Sequence, residues 1–378
     1  MYCSPATLDL CRILLLDSAH LQEEDASFAR RTKHSRYENP LPLYTVHDAE
    51  KAIRQLNAVN YHQWIQLDEN LSFRFIRSGH ILGSCLIQFH FLSETGSKLL
   101  TFSGDLGNNR SFVINPPEQL MESDYLVMES TYGDRVQDGG DPIQNIAKII
   151  NEVIGQKGTL VIPAFSVGRA QELLHIVHTL ESQNLIPKIP VYLDSPMSNN
   201  VTSLYLKYPE ELKTNIRSGK IESNLSCCFY HEVKDADESM LLCMSDEPKI
   251  VISAAGMLTG GRILHHLKAK LPGEKNGILF VGYQAQGTKG LLLKNGLRRI
   301  RIHHQDVDVE AKIFSIESMS AHADSDEIID YVKKMSKKPE LTFLNHGENN
   351  SLESLRYRFQ NELHLQTKIA EPNEEYSI

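Results

Sequence analysis

SGHILGS (78–84), SGDLG (103–107) and NHGE (345–348) share one frame, a histidine or aspartate set among glycines. Each follows an apolar run of strand type: SFRFIR (72–77), KLLTF (98–102) and ELTFL (340–344). Glycine lets such a loop turn sharply and lets backbones approach, so the metal-capable side chain projects from a sheet edge. A lone strand-end histidine is usually a packing residue. Three loops of one design, drawn from distant parts of the chain, instead predict one polar site carrying His80, Asp105 and His346.

Working outward, the first third reads as helix and then strands. Residues 5–30 have helical apolar spacing, and Thr45 with Asp48 forms a capping box for a helix expected to run to about Ala58. From about residue 140 buried-type strands alternate with helices: TLVIP (159–163) before GRAQELLHIVHTL, IPVYL (189–193) before the helix after DSPM, KIVIS (249–253) before GRILHHL, and GILFVG (277–282) before a glycine-rich turn. That alternation means a parallel α/β sheet. A strand in VEAKIFSI, a helix from Asp324 to about Met335, ELTFL and a terminal helix complete the pattern. Site-type loops lie on both sides of the middle block, so the chain's two ends must meet, with the middle domain inserted between them.

Composition narrows the class. The chain has 378 residues, 41% hydrophobic and 23% charged, with a formal net charge of −9. That is ordinary for a globular protein with well-buried cores. No run approaches the ~18 apolar residues that span a bilayer, and RILLL (12–16) lacks the flanks of a signal segment. The six cysteines show no metal or disulfide spacing and read as reduced packing thiols, Cys227-Cys228 included, in a cytoplasmic protein. With an acidic chain, nucleic-acid binding must rely on a local cleft and metal charge rather than a global field.

The segments CSPATLDLCRILLLDSAHLQEEDA (3–26), MESTYGDR (128–135), PAFSVGRAQELL (163–174), DSPM (194–197), SAAGMLTGGR (253–262) and SAHAD (320–324) occur in one order. In that order they resemble the metallo-β-lactamase-fold β-CASP nucleases, particularly prokaryotic relatives of the eukaryotic cleavage and polyadenylation endonuclease subunit. The resemblance implies an α/β fold: a four-layer αββα metallo-β-lactamase domain, N-terminally incomplete, formed by residues 1–134 and 320–378, with a β-CASP α/β domain at 135–319. It implies RNA hydrolysis at a dinuclear zinc site in the groove between them. His80 would serve one metal, His346 the other, and Asp105 both. The resemblance also gives catalytic roles to Glu129 and His322, a carboxylate–histidine pair near the scissile phosphate. The family's His-x-His-x-Asp-His motif normally lies just before the YCSPAT-like segment, where this sequence begins. Weakened metal binding, poor nuclease activity and an uncovered, association-prone sheet surface are therefore expected of the chain as given.

The chemistry of these residue types agrees with that implication. Imidazole and carboxylate ligands without thiolate suit Zn²⁺, with Mn²⁺ also accommodated. A carboxylate on one imidazole nitrogen orients the ring and raises its pKa, leaving the other nitrogen to act as a general acid. Three strand-to-helix loops are expected to bind phosphate: one with Ser166, Gly168 and Arg169, one with Gly256 and Arg262, one with Gly287, Thr288 and Lys289. None matches the GxxxxGK[ST] loop, so a triphosphate site is not indicated. DSPM reads as a plain turn, Trp64 as packing, and the pairs His265-His266 and His303-His304 as diverging side chains on a helix or strand. The reading is a metal-dependent hydrolase of single-stranded RNA, exonuclease or endonuclease, with no membrane partner and with a homodimer allowed. The rival is a catalytically silent relative that binds RNA or a partner as a scaffold; a small-thioester or lactam hydrolase would leave the insertion and Glu129/His322 without a role.

Overall fold

Two patterns of strand burial distinguish the two large sheets among the described residues, which also form the small pairs β1-β2 and β13-β14. The computed structural model describes residues 1–378 except 34, 94–95, 138–139, 214–224, 226–228 and 378, so Cys227-Cys228 lies outside the described residues. In chain order the strands are β1 (Tyr2–Cys3), β2 (Asn57–Ala58), β3 (Ile65–Gln66), β4 (Leu71–Arg77), β5 (Cys85–Ser93), β6 (Gly96–Phe102), β7 (Tyr125–Glu129), β8 (Thr159–Pro163) and β9 (Val191–Asp194). They continue as β10 (Tyr230–Glu232), β11 (Lys249–Ser253), β12 (Gly277–Val281), β13 (Arg299–Ile302), β14 (Gln305–Asp308), β15 (Lys312–Ile316), β16 (Leu341–Asn345) and β17 (Thr367–Ile369).

The first sheet runs β17-β16-β7-β6-β5-β4-β3. Strands β3 to β6 form an antiparallel meander, while β6, β7, β16 and β17 pair in parallel. One face packs Leu126, Met128 and Leu344 against helices Ser325–Lys333 and Asn349–Glu362. On the other, Phe73 and Phe75 are buried, but Phe102 is exposed beside Phe89, Phe91 and Leu100 in a shallow hollow.

The second sheet, β10-β9-β11-β8-β12-β15, is parallel throughout. Strands β8, β11 and β12 are buried at every residue, as expected of a sheet covered on both faces. Helices Pro142–Gly155 and Arg169–Ser182 build the core on one side, and Ile263–Lys270 builds it on the other. The long helix Pro5–Thr32 joins the two units. Its cap Ser4 and Thr7 both donate to the Gly83 carbonyl, and its buried Asp9 accepts from Lys207 and from Tyr208 at 2.6 Å. This α/β architecture is a metallo-β-lactamase fold carrying a β-CASP insertion.

Four expectations need correction. The helix capped by Thr45 ends at Arg54, because Asn57 and Ala58 leave it to pair with Tyr2 and Cys3. The terminal helix does not end the pattern, since β17 follows and closes one edge of the first sheet. His303-His304 sits on neither strand nor helix: the pair is the two-residue loop of the β13–β14 hairpin, both residues at positive φ. Trp64 is 42% exposed, with the Arg74 guanidinium 4.8 Å above its ring, a surface stack in place of the packing expected for it.

Candidate metal and hydrolytic site

The 78–84 and 103–107 loops meet at two glycines. A Cβ on Gly107 would lie 2.0 Å from the Gly79 carbonyl oxygen, and the Gly107 N–H donates to Ser78 O at 2.8 Å. No side chain fits so close an approach, so the frame read from the sequence is what allows His80 and Asp105 to adjoin. The same strip of backbone continues into residues 320–323: Asn108 N–H donates to Ala321 O at 3.1 Å and Ala323 N–H to Leu106 O at 2.8 Å. From the ends of β7 and β16, Ser130 N–H donates to His346 O at 3.3 Å. Four loops are thereby fixed to one another through main chain before any side chain is considered.

Their side chains converge. His80 Nε2 is 3.6 Å from one Asp105 carboxylate oxygen, and His346 Nδ1 is 3.2 Å from the other. His322 lies alongside, its ring centroid 4.4 Å from that of His80. The tightest metal-capable group among the described residues is His80, Asp105 and His322, with donor atoms within 4.8 Å of one another. His346 joins this group through Asp105.

Glu129 is 1% exposed and carries four interactions. It accepts from Leu106 N–H at 2.5 Å, from the Thr131 hydroxyl at 2.6 Å, and from His322 Nδ1 at 2.9 and 3.0 Å through its two oxygens. Burial pushes the Glu129 carboxyl up, but the bonds from His322, Thr131 and Leu106 outweigh it and hold the group below its usual range. For His322, burial favours the neutral ring, yet the Glu129 bond and charge, with Asp105, raise its pKa above the ordinary value. His80 goes the other way. Burial and then the neighbouring His322 pull it down to about 4, so it is a neutral donor at physiological pH.

This cluster opens into a cavity of about 1540 Å³ between the two sheets, lined by His80, Thr131, Tyr132, His322 and His346 on one side and by strand-end loops of the second sheet on the other. Ser166, Gly168, Arg169, Gly256 and Arg262 line it. Both arginines already bind protein groups: Arg169 pairs with Glu172 and the Met319 carbonyl, Arg262 with Asp194 at 2.8 Å and with the Val233 and Lys234 carbonyls. Gly287, Thr288 and Lys289 are not brought to the cavity wall. Thr288 instead caps the short helix Lys289–Lys294, and only Gly282 and Tyr283 of that loop reach the lining.

Sequence reasoning missed two residues. Thr131, two positions after Glu129, bonds both Glu129 and the His346 carbonyl, the latter at 3.2 Å. Asp194 of DSPM, read as a turn, is a fully buried carboxylate that binds His266, Ser239 and Arg262. Its signal was an ionisable residue at the end of an otherwise apolar strand.

Residues 170–293 match the Beta-Casp domain, and residues 306–370 match the Zn-dependent metallo-hydrolase RNA specificity domain. A ribonuclease of Thermus thermophilus is 31% identical over 94% of this chain and 77% of its own length. An RNase J-like protein of Methanocaldococcus jannaschii is 31% identical over 92% of the chain and 76% of its own. The transcription termination factor FttA of the same archaeon is 29% identical over 92% of the chain, which spans 54% of that relative. The chain belongs to the β-CASP metallo-β-lactamase ribonuclease family, zinc-dependent hydrolases of RNA. No helix among the described residues is long and apolar enough to cross a membrane.

Proposed function

We propose that this chain hydrolyses phosphodiester bonds of single-stranded RNA in the cavity between its sheets, as an exonuclease or endonuclease. The observation that carries the reading is His322: its Nδ1 is held by the buried Glu129 carboxylate while its ring stands against His80 and Asp105 at the cavity wall. A ring so held presents its Nε2 to a leaving oxygen, the arrangement general acid catalysis needs. Glu129 orients His322 and sustains its proton; Thr131 and Leu106 N–H fix Glu129 in turn.

The donors suit zinc. His80 is neutral with its ring mostly buried, Asp105 stands between two imidazoles, and no thiolate lies beside them among the described residues. In this reading His80, Asp105 and His346 would hold the metal. Bound zinc supplies Lewis acidity toward phosphoryl oxygen and eases deprotonation of water. Asp105 thus acts by placing that charge beside His322. The proposal keeps the division into 1–134 and 320–378 around an inserted 135–319, which the separate parallel sheet supports.

The test is His322→Ala in a zinc-loaded, RNA-cleaving version of the protein, assayed on a labelled single-stranded RNA with zinc content measured alongside. Turnover is expected to fall roughly 10²–10⁴-fold, with zinc content and RNA affinity retained. Unchanged turnover with only a lower melting temperature would make the pair structural and sink the reading.

A further inference from the structure

The β13–β14 hairpin closes with two residues, His303 and His304, at φ +47° and +61°. A two-residue loop with both positions in the left-handed region belongs to Asn-Gly and Gly-Gly; a histidine pair there is strained. Strain at two adjacent positions on a surface hairpin needs a return elsewhere. The turn delivers His303 to the cavity wall, its ring centroid 4.5 Å from that of His265 on the helix Ile263–Lys270. His265 is in turn fixed by its neighbours: His266 is buried against Asp194, and Arg262, at the helix start, is held by the same carboxylate.

Charge at this corner is one-sided. The groups acting most on His303 are all cationic or potentially so: His265 and Lys268 from the facing helix, His304 beside it, and Lys289 from the next helix. His265 feels His266 and Lys268 against a single opposing carboxylate, Asp194, which is already bonded to Arg262 and His266. Neither Lys268 nor Lys289 forms an ion pair among the described residues. In a chain of net charge −9, two imidazoles on the cavity wall, with the charges of Lys268 and Lys289 behind them rather than on the wall, call for an anion.

We propose that His265 and His303, backed by Lys268 and Lys289, form a phosphate-recognition subsite on the second-sheet wall of the cavity. It takes a phosphate of the RNA strand away from the bond being cut at the His80–Asp105–His322 corner. The inference rests on the RNA reading above and adds to it a second, separate point of attachment. The imidazoles donate hydrogen bonds to the phosphate oxygens, and the lysines supply charge behind them.

The hairpin itself supplies the experiment. His303→Asn with His304→Gly installs the turn sequence the backbone prefers while deleting both imidazoles; His265→Asn is the companion. Binding of fluorescently labelled oligouridylate, with either a 5′-hydroxyl or a 5′-phosphate, is followed by anisotropy across a salt series. The Asn-Gly variant is expected to melt higher than the parent, yet to bind roughly tenfold more weakly, with the salt slope reduced by about 0.7, the share of a single phosphate. Weaker binding of both oligonucleotides assigns the subsite to an internal phosphodiester, and weaker binding of the phosphorylated one alone assigns it to the terminal phosphate; either supports the proposal. Parental affinity and salt slope in both variants overturn it and leave the RNA reading standing. Failure of the parent itself to bind either oligonucleotide overturns that reading instead.

Discussion

Among the described residues, two buried carboxylates at strand ends hold a histidine in nearly the same way. Glu129 ends β7 and bonds His322 at 2.9 Å; Asp194 ends β9 and bonds His266 at 2.6 Å. Each carboxylate is buried and each takes further donors. The imidazoles differ in what their second nitrogen meets. His322 turns its other side toward His80, Asp105 and the cavity. His266 is wholly buried, its Nδ1 against the Cys243 thiol at 3.3 Å. Burial and then the Asp194 charge push that thiol up to about 11, so it stays protonated against the ring nitrogen. One pair has an open end where chemistry can occur. The other is closed at both ends and can only hold things in place.

The sharpest way to break this comparison is to disable each pair and read both activity and stability. Glu129→Gln should lower kcat on single-stranded RNA by roughly 10²-fold or more, with KM and zinc content nearly unchanged; a change confined to melting temperature would make the two pairs alike. His266→Leu should do the reverse. It leaves a buried carboxylate facing an apolar side chain, a cost of about 3–5 kcal/mol by denaturant unfolding, and a stability within error of the parent would show that Arg262 and Ser239 suffice for Asp194.

A smaller effect is expected in acid. Burial pushes the Asp194 carboxyl up, but the bonds from His266, Ser239 and Arg262 prevail and lower its pKa. A depressed folded pKa contributes stability above the unfolded value of about 3.9, lost as pH falls through the folded one. Asp194→Asn should therefore flatten the acid limb of a stability–pH curve below about pH 4; an unchanged limb would mean that other carboxyls set it. Least of all, Cys243→Ala should cost about 1 kcal/mol, since a thiol is a weak donor. A destabilisation as large as that of His266→Leu would show the thiol to be essential to the pair.

Strand-end position and glycine flanks made the open pair's surroundings legible in sequence. They mark where backbones come close, and Gly107 against Gly79 is such a place. Family resemblance pointed to Glu129 and His322, which the structure brings together across 193 positions of sequence. The closed pair was not legible, because nothing local in DSPM or GRILHHL tells which strand will lie next to which helix. The two histidine pairs escaped for a related reason. Divergence along a helix or strand is the right rule for neighbours in sequence, but His265 and His303 are partners across elements, and a tight turn stands where a strand was assumed. The arginines of the expected phosphate loops were read from residue type alone, which says nothing of Glu172 or Asp194 waiting to pair with them.

The order of strands in the first sheet governs when the site comes into being. β16 lies between β7 and β17, in parallel with both, and it carries His346 at its end, while His322 arrives just after the last strand of the second sheet. Everything needed to fold the inserted sheet is therefore synthesised before the strand that completes the site. The hydrolytic centre is incomplete until residues 341–346 have been made, because His346 directly follows β16.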